Sequence, residues 1–229
     1  MHSLEGLNRK IVECQKCERL STYIREVARK KVRRYADWEY WGKPLPGFGD
    51  PEAKLLIVGL APAAHGGNRT GRMFTGDSSG DWLAKALYET GFANKPTSES
   101  RDDGLELKDA YITAVVRCAP PENKPTKEEM ENCNGYLVEE LKLLKNVKVI
   151  LCLGSIALKG TLMALKDLYP EAKLKGIKSG RGLKYKPEGI PYTLITSYHP
   201  SKQNTQTGRL KWEDWIRVFE EIKSLLEGR

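Results

Sequence analysis

The feature that most constrains this chain is a repeated alternation of short apolar runs with helical stretches. Residues 54–59 (KLLIVG), 110–116 (AYITAVV), 147–153 (VKVILCL) and 192–196 are too short for buried helices. They are continuous enough for strands buried on both faces. Helical patterns separate them: residues 79–90, closed by Gly91; Thr126 to about Leu144, opened by a Thr126–Glu129 capping box; Ser155–Leu168; and a closing helix, Trp212–Leu226. Residues 4–35 also read as helical, with Leu4, Leu7, Ile11 and Leu20 broadly at helical spacing, and residues 42–51 (GKPLPGFGDP) as a loop. The expected fold class is α/β, a three-layer α/β/α arrangement around a central, mostly parallel four-stranded sheet.

Such sheets bind ligands at the carboxyl ends of their strands, which directs attention to three loops. The first, after Gly59, is rich in Gly and Ala, including Ala61, so backbone can approach a ligand closely. It carries Arg69 and Arg72 as candidate phosphate contacts, Phe74 as a flat face for a base, and Asp77. Asp77 stands just before a helix, where an N-cap role competes with a functional one. The second loop, after Val116, reads RCAPPENKP. The third holds His199, placed to donate a hydrogen bond into a pocket, with Ser201, Lys202 and Arg209 behind it as phosphate or duplex contacts.

A length of 229 residues suits one domain over residues 1–229. No apolar run reaches the roughly 20 residues a membrane helix needs, and residues 1–10 lack a secretory stretch, so a cytoplasmic monomer is expected. Heavy use of Lys and Glu fits a thermophile. The formal charge of +8 points to a polyanion such as DNA. It is concentrated in residues 25–34, six Lys/Arg against one Glu, which read as a solvated helix face or a phosphate contact. The Gly-rich residues 173–186, six Lys/Arg and no acid, read as a flexible phosphate-facing loop.

Cys14 and Cys17 form a C-x-x-C pair, and Cys118 and Cys133 lie in polar segments. Together they make a four-thiolate set for a [4Fe–4S] cluster or, alternatively, zinc, tying residues 1–50 to the rest. Disulfides are the weaker reading of an odd cysteine count. Cys152, inside an apolar strand, belongs to the core.

In combination, GLAPA…GRMFTGD, RCAPPENKP, HPSKQNTQTGR and the four cysteines resemble the family 5 (thermophilic B-type) uracil-DNA glycosylases over nearly the whole chain. The resemblance implies a uracil-DNA glycosylase fold, a [4Fe–4S] cluster held by Cys14, Cys17, Cys118 and Cys133, and excision of uracil from single- or double-stranded DNA. A broad range including hypoxanthine is also implied. Carried over, Asp77, Asn123, His199 and Asn204 become pocket residues, with Phe74 as the stacking ring. Ala61 departs from the wider superfamily, where an acid or Asn stands, leaving Asp77 as the carboxylate. A non-catalytic nucleic-acid-binding module with structural zinc, or an enzyme acting on a free nucleotide or phosphoester, are the rival readings.

Overall fold

The structure is a computed structural model that describes residues 3–229; Met1 and His2, at the start of the segment read as lacking a secretory stretch, lie outside it. Six strands form one sheet: β1 (Phe48–Gly49), β2 (Leu55–Gly59), β3 (Ala110–Ala114), β4 (Val149–Leu153), β5 (Leu183–Tyr185) and β6 (Thr193–Ser197), in the order β1-β3-β2-β4-β6-β5. The four inner strands are parallel and are the four apolar runs of the sequence. Each central strand is buried on both faces, so its side chains divide by parity. Leu56, Val58, Ile150 and Cys152 face one layer of helices, and Leu55, Ile57, Val149 and Leu151 face the other.

The expected four-stranded sheet gains two antiparallel edges. β1 lies in the Gly/Pro-rich segment read as a loop. It is only two residues long, and a Cβ at Gly49 (φ 144°) would come within 2.4 Å of the Ala110 carbonyl oxygen. β5 lies in the basic run read as a flexible phosphate-facing loop. There Lys184 pairs across the sheet with Ile195 and bridges to Glu221 at 3.2 Å, so residues 183–185 are a lysine-guarded edge, while the rest of the run is loop.

One face of the sheet is covered by α5 (Lys127–Leu143) and α6 (Ser155–Leu168), the other by α4 (Ser78–Glu89) and α8 (Trp212–Leu226). The helix expected over residues 4–35 is broken into α1 (Leu4–Val12) and α2 (Glu18–Lys30), because residues 13–17 carry no apolar face to continue it, and Lys31 (φ 57°) stops the second helix. Leu7 and Ile11 of α1 pack with Cys133 and Tyr136 of α5, while Arg19 of α2 bonds Glu129, the residue that closes the α5 capping box. Two short helices, α3 (Gly67–Thr70) and α7 (Lys202–Gln206), stand in the first and third strand-end loops.

Candidate active site

The three strand-end loops converge on one cleft of about 1180 Å³. Asp77 and Phe74 enter it from the loop after β2, Asn123 from the loop after β3, and His199 with Ser201 from the loop after β6; Ala61 lines its floor. Gly59 lies just beneath, where a Cβ would meet the Phe74 ring at 2.8 Å.

Asp77 combines the two roles that its sequence position allows. Its Oδ1 accepts the Gly80 N–H at 2.8 Å, capping α4, while its Oδ2 faces Gly66 so closely that a Cβ there would stand 2.4 Å away. The α4 cap thereby fixes a carboxylate at the cleft wall. His199 stacks against Phe74 with ring centroids 5.6 Å apart and a 31° tilt. Burial lowers the His199 pKa below the ordinary histidine value, and the Asp77 charge offsets only part of that. His199 is therefore held neutral near pH 7.

Several contacts hold the third loop in place. Asn204 lies outside the cleft wall, but its Nδ2 donates to the His199 carbonyl at 2.8 Å, and Ser201 caps α7. Ser79 Oγ donates to the Pro200 carbonyl at 3.1 Å, joining the Asp77 loop to the His199 loop. Phe74 (φ 50°) and Asn123 (φ 58°) both sit in left-handed backbone, uncommon for Asn and strained for Phe. The Phe74 ring is buried against His199, while Asn123 is exposed at the cleft lining.

Two of the sequence expectations for phosphate contacts, Arg69 and Arg72, give way to internal roles. Arg69 is buried in the corner between Tyr35 and Trp38, its guanidinium carbon 3.7 and 4.1 Å from their ring centres. Its nitrogens donate to the carbonyls of His65 (2.6 Å) and Gly76 (2.7 Å), clasping both ends of the loop. Arg72 is spent on a buried ion pair with Asp103 at 3.0 Å and on Thr75 and Ser98. A long loop with few apolar residues needs such ties to stay folded, and these arginines supply them. Arg209 lies outside the cleft wall, over the Tyr198 ring at 4.8 Å.

The cleft also holds residues that sequence reasoning passed over. Asp81 lines it with Glu99; burial, then Asp77 and Glu99, raises the Asp81 pKa. Its place four residues after Asp77, on the same helix face, was a readable signal. Part of the lining comes from the N-terminal segment: Tyr23, Tyr35 and Trp38, together with Arg34 at the end of the basic run, and His65 beside them. His65 Nδ1 bonds the Tyr40 hydroxyl at 2.8 Å; burial, then Arg34 and Arg69, lowers the His65 pKa.

Beyond this cleft, Cys14, Cys17, Cys118 and Cys133 line one small pocket with Arg117 and Tyr136, and all four are free thiols. Among the described residues, no three His, Cys, Asp or Glu side chains are grouped as they stand to hold a metal ion. The chemistry of the pocket nevertheless fits an anionic thiolate centre. Arg117 is fully buried beside it, its Nε has no partner, and its backbone N–H donates to Cys133 Sγ at 3.3 Å. Burial pushes the Cys17, Cys118 and Cys133 thiols up, Cys133 to about 11, so as thiolates they need a cation. Cys152 lies in the core, fully buried between strands and α6.

Residues 46–223 match the family model described as the uracil DNA glycosylase superfamily. A type-5 uracil-DNA glycosylase of Pyrobaculum aerophilum is 46% identical over 210 residues, covering 92% of this chain and 88% of that protein. The type-5 uracil-DNA glycosylase of Thermus thermophilus is 45% identical over 224 residues, 96% and 97% of the two chains. A type-4 uracil-DNA glycosylase of Archaeoglobus fulgidus is 31% identical over 204 residues, 88% and 83% of the two chains. With most of its length inside the matched region and these relatives covering nearly all of it, the chain belongs to the uracil DNA glycosylase superfamily.

Proposed function

We propose that this protein is a monofunctional uracil-DNA glycosylase that hydrolyses the N-glycosidic bond of uracil, and of deaminated purines such as hypoxanthine, in DNA. The observation that carries the reading is the convergence of Asp77, Asn123 and His199 on one cleft beside the Phe74 ring. A base can be attacked there only once it leaves the stack, at a cost of a few kcal/mol that is least for damaged or single-stranded positions.

An extruded uracil would stack on Phe74. As the bond from sugar C1′ to uracil N1 breaks, its electron pair stays with the base, negative charge builds on the uracil oxygens, and the sugar gains cationic character. Neutral His199 donates an N–H toward a uracil oxygen, and Asn123 orients the ring; preorganised donors of this kind stabilise a developing anion. Asp77 stabilises the cation and accepts a proton from the water that adds at C1′. The proton taken up by Asp77 is released to solvent and one is taken from solvent by the uracil anion, so uracil leaves protonated on nitrogen and an abasic site remains. Ala61 leaves room where a larger side chain would restrict the pocket to pyrimidines. The test is incubation with uracil, hypoxanthine and xanthine oligonucleotides followed by alkali. Strand cleavage at uracil supports the activity, cleavage at the purines supports the range, and uncut uracil strands rule out the reading.

The four-cysteine pocket is proposed to hold a [4Fe–4S] cluster through Cys14, Cys17, Cys118 and Cys133. When bound it supplies a structural tie, fixing residues 1–50 to the remainder of a single domain. Cys14→Ala is expected to lower the melting temperature and the iron content together. Unchanged stability in a cluster-free variant would refute the structural role, and one zinc with no sulfide would favour the non-catalytic binding module instead.

The lowered His199 pKa fixes the acid limit of activity. The folded state disfavours the imidazolium, so stability and the competent neutral form are both present above the ordinary histidine value, about 6.5, and decline as pH falls below it. Single-turnover rates are expected to stay level down through about pH 6.5 and to fall only at more acidic pH. A profile that rises on acidification would show that the cation is the working form.

A further inference from the structure

The cleft is larger than a base requires: about 1180 Å³, against the roughly 300–1,000 Å³ that serves a drug-sized ligand. Its lining residues fall into two sets that differ in chemistry. The α4 wall carries Asp77, Asp81 and Glu99, close enough together that Asp77 and Glu99 both act on Asp81. A phosphodiester chain is repelled from that side. The N-terminal wall carries Tyr23, Arg34, Tyr35, Trp38 and His65 and no carboxylate.

From this asymmetry we infer that the N-terminal wall is a second subsite, which holds the nucleotide next to the excised one in single-stranded DNA. Its phosphate would lie at Arg34 and His65, and its base against Tyr23 and Trp38. Flat rings interleaved with a cation are the usual platform for single strands, because every base has a face to stack and every linkage a charge. Part of the platform is held in advance. Tyr35 and Trp38 meet edge to face at 82° and both grip Arg69, while the Tyr40 hydroxyl fixes the His65 ring, so little is lost in ordering them. A base paired in a duplex is stacked on its neighbours and cannot lie against these rings. The subsite therefore favours single strands and rests on the glycosylase reading for its neighbour.

The test uses Arg34→Gln combined with Tyr23→Leu, which leaves intact the rings that hold Arg69, and Arg34→Lys as the charge-preserving control. Undamaged oligo(dT) probes the subsite without chemistry. The double variant is expected to bind it at least about tenfold more weakly, with the salt slope reduced by roughly 0.7 for one lost phosphate contact. For single-stranded uracil substrate, KM should rise by a similar factor with kcat within about twofold, while duplex KM rises less; Arg34→Lys should restore the salt slope. Unchanged oligo(dT) affinity, or equal losses on single and double strands, would overturn the subsite. If the wild-type protein released no uracil the glycosylase reading would fall, yet the oligo(dT) measurement would still decide the subsite.

Discussion

His199→Ala is expected to slow single-turnover uracil release by on the order of 10², with affinity for uracil-containing DNA nearly unchanged. The imidazole belongs to a preorganised unit, stacked on Phe74 and fixed through its own backbone carbonyl by Asn204. Its removal takes away a donor aimed where charge develops and leaves the rest of the cleft standing. The companion substitution is Asp77→Asn. Ala at this position would also remove the α4 cap, costing about 1 kcal/mol, whereas Asn caps as well as Asp. Asn therefore keeps the bond from Gly80 N–H and deletes only the charge. A loss comparable to that of His199→Ala is expected, and normal single-turnover rates in both variants would remove them from the chemistry.

The largest expected effect on stability lies behind the cleft. Arg117 is fully buried, and Glu140 of α5, also buried, pairs with it and accepts the Thr113 hydroxyl at 2.6 Å. Glu140→Leu leaves that guanidinium without its carboxylate in a dry interior, where an uncompensated charge costs about 3–5 kcal/mol. Restoring balance with Arg117→Met on the same background should recover much of the loss, since apolar replacement of a whole buried pair is often neutral. Denaturant melts of the two variants check this, and a single-variant loss below about 1 kcal/mol would show that water reaches the pair.

The parallel sheet was legible because its strands are buried on both faces, and such strands write themselves as unbroken apolar runs. The edge strands were not. β1 is two residues inside a Gly/Pro loop, and β5 is exposed and lysine-bearing, so neither carries an apolar signature. The convergence of Asp77, Asn123 and His199 could be anticipated because strand carboxyl ends gather on one side of such a sheet. The arginines misled because charge in a glycine-rich loop looks the same whether it meets a phosphate or a carbonyl. Only the fold shows that Arg69 and Arg72 turn inward. On the N-terminal wall only Arg34 carried a signal, as the end of the basic run 25–34; Tyr23, Tyr35 and Trp38 carried none, since the turn after α2 is what brings Tyr35 and Trp38 to the cleft.

A crystal structure of the Asp77→Asn variant with a uracil-containing oligonucleotide tests the central claim most directly. The account predicts an extruded uracil lying on the Phe74 ring, with one oxygen within hydrogen-bonding reach of His199 and its edge met by Asn123. A uracil still stacked in the strand, or bound against another surface while the cleft stays open to water, would contradict it.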